Sequence, residues 1–189
     1  VTTVGVLALQ GDYGAHGRMA EALGLAVREV RQASELRECD ALLLPGGESS
    51  TMVKLLRTEE LTEPVRDFCR SGKPVLGTCA GAILLASAVT GPAQESLGIL
   101  DIDVERNAYG RQRDSSIEQL DGDEAWGHTE AVFIRAPVIR RVGEGVEVLL
   151  RRGEDPVLVR SGPVWAATFH PEMTPDTGLL KRVLESATT

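Results

Sequence analysis

Cysteine, histidine and aromatic residues are all scarce in this sequence. Its 189 residues include three cysteines, three histidines, two tryptophans, two tyrosines and three phenylalanines. Cys39, Cys69 and Cys79 are odd in number and form no C-x-x-C pair. That pattern indicates neither a cysteine-based zinc site nor a disulfide framework, and reduced thiols are the expectation. A surplus of positive charge is missing too: 20 Lys and Arg stand against 28 Asp and Glu, a formal net charge of -8. Such a balance argues against nucleic acid or an anionic membrane as a partner. No uninterrupted apolar run approaches the roughly 18 residues of a membrane span. The opening VTTVGVLALQG carries neither a basic region nor a small-residue cleavage site, and it reads as a first strand, not an export signal. A cytoplasmic location is expected. Internal repeats, low-complexity tracts and linkers are also absent, so residues 1–189 are read as one domain.

What is present is an ordinary apolar share, 42%, with 25% charged residues, enough for a full core without staples. VGVLAL at 4–9 is a short apolar run, the mark of a strand buried on both faces. The polar stretch QGDYGAHGR follows as a loop, leading to a helix over 18–23 that Gly24 ends. LAVREV, ALLLPGG and PVLGT read as further strands, and EPVRDFCRSG as an amphipathic helix with Pro64 early and Gly72 past its end. Strands separated by helices at this spacing predict βαβ units and a parallel sheet covered on both faces. In the second half GILDIDVERN, SSIEQL, EAVFIRAP, GVEVLLRRG, DPVLVRSG and PVWAATFHPE read as strands joined by turns. They predict hairpins added to an edge of the parallel sheet, or a mixed sheet. Leu179, Leu180, Val183 and Leu184 share one face of a closing helix.

The chemistry concentrates in a few stretches. Gly77-Thr78-Cys79-Ala80-Gly81 has the form G-x-C-x-G between a strand and a helix, the thiol counterpart of a nucleophile elbow. Its glycines permit close backbone approach. Cys79 would stand at a helix N-terminus, which favours a thiolate, with the Ala80 N–H beside a developing oxyanion. A buried cysteine in a tight turn fits the same residues. As partner base, His16 in the early loop and His128 in EAWGHTE read as solvated. His170 ends an apolar strand and precedes Pro171, which favours an extended conformation. Alternation along an extended chain would set Glu172 beside His170, where it could fix the imidazole tautomer. Cys39 and Cys69 read as packing residues. Gly46-Gly47 after a buried strand could supply a second oxyanion donor or simply cap the next helix. Arg106, Arg111, Arg113 and Arg135 are candidates for holding a carboxylate or for plain solvation.

Taken together, GVLALQGD, LLLPGGESSTM, GTCAG, VERNAYGRQRDS, FIRAP and FHPE resemble the class I, triad-type glutamine amidotransferases. Within that class they resemble the glutaminase subunits of pyridoxal 5'-phosphate synthases, over nearly the whole chain. The resemblance implies a flavodoxin-like α/β fold and hydrolysis of L-glutamine to L-glutamate and ammonia through a thioester. It implies Cys79 as nucleophile with His170 and Glu172 as partners, and Gly47 and Ala80 as the oxyanion hole. Gly47, Glu48, Ser49, Arg106, Ile134 and Arg135 would bind glutamine. No metal or organic cofactor is implied. The ammonia would pass to a separate (β/α)8-barrel synthase subunit, and the LQGDYGAHGR surface is the expected contact with it. The rivals are a glutaminase subunit of another synthase, such as imidazole glycerol phosphate synthase, a flavodoxin-like binding module without catalysis, and a cysteine peptidase.

Overall fold

The computed structural model describes residues 2–108, 115–122 and 126–188. Its first half alternates strands and helices: β1 (Thr3–Leu7), α1 (Tyr13–Glu21), β2 (Ala26–Val30), α2 (Ala33–Leu36), β3 (Ala41–Leu44), α3 (Ser49–Thr58), α4 (Thr62–Arg70), β4 (Val75–Thr78) and α5 (Ala80–Leu85). The second half is mostly strand: β5 (Ala86–Thr90), β6 (Leu100–Glu105), β7 (Ser116–Asp121), β8 (His128–Phe133), β9 (Val138–Val142), β10 (Glu147–Arg152), β11 (Asp155–Ser161) and β12 (Val164–Ala167). A 3-10 turn over Pro171–Met173 and α6 (Gly178–Glu185) follow.

A seven-stranded sheet in the order β10-β11-β12-β4-β3-β1-β2 forms the frame. The run β12-β4-β3-β1-β2 is parallel throughout, and β10 and β11 extend it as an antiparallel edge. Side chains of β3 alternate between the two faces, as the strand period requires. Leu42 and Leu44 join the core that α3, α4 and α5 cover, while Ala41 and Leu43 join the one that α1 and α6 cover. Leu179, Leu180 and Val183 of α6 are buried as its periodicity predicts. Gly72 takes a left-handed φ of 82° just beyond α4, which terminates that helix.

Three expectations need correction. The stretch over 10–18 is loop only as far as Asp12, which caps α1 through the Ala15 N–H at 3.2 Å; the helix starts at Tyr13. Its buried face is Ala15, His16, Gly17, Met19 and Ala20, too small and polar to show an apolar period. Second, β5 and β9 went unread. β5 leaves α5 with no intervening turn residue, and β9 exposes Arg140 and Arg141. Third, only β10 and β11 extend the main sheet. β5, β6 and β9 form a separate three-stranded sheet, and β7 and β8 a two-stranded ribbon.

The parallel strands all end at one edge, where open α/β sheets bind ligands. The order β2-β1-β3 reverses the direction of winding at β1 and β3, which opens a crevice between the loops after them.

Candidate active site

Leu44 pairs with Gly77 and Thr78 with Ala167, so the segments after β3, β4 and β12 leave the sheet side by side. Cys79 occupies the single position between β4 and α5, at φ 48° and ψ −103°. A non-glycine residue is strained there, and the strand-to-helix reversal imposes it. The Cys79 N–H donates to the Ala167 carbonyl at 2.8 Å, and its own carbonyl accepts from Ile83 at 3.2 Å. Gly81 lies against the Leu44 carbonyl and Gly77 against Gly81, so closely that a Cβ at either would collide with backbone. The two glycines of G-x-C-x-G therefore let β3, β4 and α5 touch. Cys79 is buried and lines a cleft.

His170 is anchored by its N–H to the Val132 carbonyl of β8 at 2.8 Å. Its Nδ1 lies 2.6 Å from Glu172 Oε1. A carboxylate only accepts, so Nδ1 carries the hydrogen. The pairing comes from the 3-10 turn at Pro171–Met173, which folds Glu172 back; strand alternation is not the cause. Nε2 is buried and makes no well-aligned hydrogen bond among the described residues. Burial opposes charge on His170, but the Cys79 side chain and Glu172 outweigh it and push its pKa up to about 10. Cys39 and Cys69 differ in kind. Burial raises both thiols, Cys69 to about 12, and Cys39 packs against Gly5.

A cavity of about 390 Å³ opens over Cys79 and His170. Gly47, Glu48, Ser49, Arg106, Ile134 and Arg135 all line it, so every expected glutamine-binding residue converges there. Ala80 opens α5 beside it, with one of the N–H groups that a helix start leaves unshared. Glu48 caps α3, accepting from Ser50 N–H at 3.2 Å and Thr51 N–H at 2.7 Å. Burial resists its ionisation, but these bonds and the two hydroxyls prevail and hold its pKa down to about 2. Arg106 Nη2 meets Glu48 Oε1 at 3.1 Å, so the wall presents both charges. A cleft of about 430 Å³ between α2 and α4 is slightly larger, but neither a cysteine nor a histidine lines it.

Residues missed in the sequence complete the wall. Gln10 Oε1 accepts from the Glu48 N–H at 2.8 Å, and the Asp12 N–H donates to the Gly46 carbonyl at 3.3 Å. The β1–α1 connection thereby fixes the Gly46–Gly47 peptide, in which Gly47 adopts φ 153°. Ser49 donates to Gln94 at 3.1 Å. Asn107, Pro137, Ile83 and Met173 complete the lining. His16 is fully buried, not solvated, and lies 3.5 Å from Glu172; His128 is exposed as expected. Arg111 and Arg113 lie outside the described residues.

The model of the SNO glutamine amidotransferase family matches residues 6–186. Pyridoxal 5'-phosphate synthase subunit PdxT of Solibacter usitatus is 55% identical over 179 residues, covering 92% of this chain and 93% of that one. The protein of the same name from a strain of Thermus thermophilus is 53% identical over 186 residues, covering 97% of each. A crystal structure of a glutamine amidotransferase superposes with a TM-score of 0.91 at 49% identity, covering 98% of this chain and 99% of that one. PurLQS from Thermotoga maritima, at 18% identity and a TM-score of 0.66 over 99% and 97% of the two chains, shares the fold alone.

Proposed function

The chain belongs to the SNO glutamine amidotransferase family, and from that premise we propose how it works as the glutaminase subunit of a pyridoxal 5'-phosphate synthase. It takes the amide nitrogen of glutamine as ammonia and supplies it to the synthase subunit with which it works. In our reading residues 1–189 act as one glutaminase domain; the main sheet, built from both ends of the chain, supports this. No helix among the described residues is long and apolar enough to cross a membrane, and we place the reaction in the cytoplasm. The synthase subunit is taken to be a (β/α)8 barrel.

The observation that carries the mechanism is the 2.6 Å contact of His170 Nδ1 with Glu172, beside a strained cysteine over one cavity. Glu172 fixes the tautomer, which turns Nε2 towards the chemistry. The raised proton affinity of His170 suits a resting thiolate–imidazolium pair. Thiolate attack on the side-chain amide carbon moves the negative charge to the oxygen, where the N–H groups of Ala80 and Gly47 receive it. With the thiolate consumed, His170 loses its main electrostatic support and becomes a better acid. Its proton goes to the leaving nitrogen as the C–N bond breaks and ammonia departs. Neutral His170 then takes a proton from water, whose oxygen displaces sulfur from the thioester and gives glutamate. Glu48 and Arg106 offer charges opposite to those of the glutamine α-amino and α-carboxylate groups, with Ser49 and the Ile134–Arg135 backbone closing the pocket.

Glutamate and ammonia release by the purified chain tests this. Cys79→Ala should abolish turnover, and a glutamine-analogue electrophile should label Cys79 alone, with glutamine protecting it. His170→Asn should lose about a thousandfold or more, and Glu172→Gln less, since it moves no proton itself. Ammonia release by Cys79→Ala, or labelling of Cys39 or Cys69, would refute the assignment.

A further inference from the structure

The Glu172 side chain is wholly buried, and only one of its oxygens is accounted for. Oε1 takes the His170 proton; Oε2 is buried with no hydrogen-bond partner among the described residues. The group facing Oε2 is His16 Nε2, 3.5 Å away, on a ring that is itself wholly buried. His16 belongs to α1, a different element from those that carry the triad. Its Nδ1 lies 3.0 Å from the Asp12 carbonyl, and its Nε2 lies 2.9 Å from Thr78 Oγ1, the side chain next to Cys79.

The hydrogens can be placed from these contacts. A carbonyl oxygen has none to give, so the hydrogen of the first contact is on Nδ1. If Nε2 were bare it would accept from Thr78 and turn its lone pair towards Glu172 Oε2. That carboxylate oxygen would then be sealed from water and opposed by another acceptor, the costliest arrangement for a buried charge. A hydrogen on Nε2 reverses both contacts, giving Thr78 Oγ1 and Glu172 Oε2 a shared donor. Asp12 adds only its carbonyl, since its carboxylate caps Ala15.

We infer that His16 is a positioning residue of the glutaminase site, whose Nε2 clamps Glu172 from behind and ties it through Thr78 to the elbow that carries Cys79. The inference rests on the Cys79–His170–Glu172 reading. In it Glu172 is held at both oxygens, so the carboxylate plane, and with it the His170 ring, cannot swivel between ammonia release and water activation.

A double-mutant cycle tests the clamp in the full chain purified with its synthase subunit. His16→Gln should lower kcat about 10- to 100-fold, the size of loss seen when the outer partner that orients a metal-bound histidine or carboxylate is removed, and leave KM within about twofold. In the Glu172→Gln background the same change should cost almost nothing, because the carboxylate it orients is gone. Losses that multiply across the cycle, or an unchanged kcat in His16→Gln, would overturn the clamp while leaving the triad standing. An unaffected Glu172→Gln would instead overturn the triad. The unmutated chain gives a readout independent of folding by variants. In 15N-histidine spectra Nε2 of His16 should carry a proton; a bare Nε2 refutes the proposal.

Discussion

At the scale of the residue, the protonation of His170 has a sign that can be followed. Its folded-state pKa of about 10 exceeds the ordinary histidine value near 6.5. The stability it lends is therefore complete below about pH 6.5 and fades as pH rises through about 10. Burial opposes the charge, so the partners decide the outcome, and Cys79 is the larger of the two. Cys79→Ala should thus lower the His170 titration midpoint and flatten the loss of stability between pH 7 and 10. Urea midpoints for both proteins across that range, with His170 imidazole shifts, measure it; parallel curves would show that thiol and ring do not share a charge. The turn that carries Cys79 was legible because G-x-C-x-G needs both glycines for backbone contact. His16 was illegible: a histidine among glycines and an aspartate reads as solvated until the fold sets it behind Glu172.

At the scale of the element, the legible parts were those with sharp local punctuation. β1, β3 and β4 are apolar runs stopped by glycine, proline or a polar residue, and α4 carries its own apolar stripe between Pro64 and Gly72. α1 hid because its inner face is small and polar, and β9 because arginines interrupt its apolar residues. The His170–Glu172 pair was foreseen for the wrong reason, since a three-residue turn makes the contact that alternation seemed to offer. Two glycines separate close packing from mere conformation. A Cβ at Gly81 would run into the Leu44 carbonyl, whereas one at Gly24 meets nothing within 4 Å and only has to tolerate φ 74°. Gly81→Ala should cost about 1–3 kcal/mol by overpacking and also depress turnover, because it pushes β3 and the Gly46–Gly47 turn away from the elbow. Gly24→Ala should cost about 1–2 kcal/mol from its backbone angle and leave turnover alone. Urea unfolding with glutaminase assays separates them; equal effects on activity would mean that the elbow tolerates slack.

At the scale of the whole molecule, one edge of the main sheet brings Cys79, His170 and the Gly46–Gly47 turn together, and Arg106 and Ile134–Arg135 reach the cavity from the two smaller sheets. The loops after β1, β3, β4 and β12 converge there, and β8 reaches across from the ribbon to hold His170. A glutaminase that turned over freely would waste glutamine, so a low rate for the chain alone and a higher one with the synthase subunit are expected. The contact expected at LQGDYGAHGR now divides in two. Gln10 and Asp12 hold the Gly46–Glu48 turn directly, so changing Gln10 should lower the rate with or without the partner. Arg18 is different: it lies on the exposed side of α1, away from the cavity lining. If that helix face meets the synthase subunit, Arg18→Glu should leave the basal rate unchanged and reduce the stimulated rate by about tenfold. An exposed charge reversal perturbs a rim contact without disturbing the fold, so the ratio of stimulated to basal rate isolates docking from chemistry. A ratio equal to that of the unmutated chain, across a range of partner concentrations, would move the interface off α1.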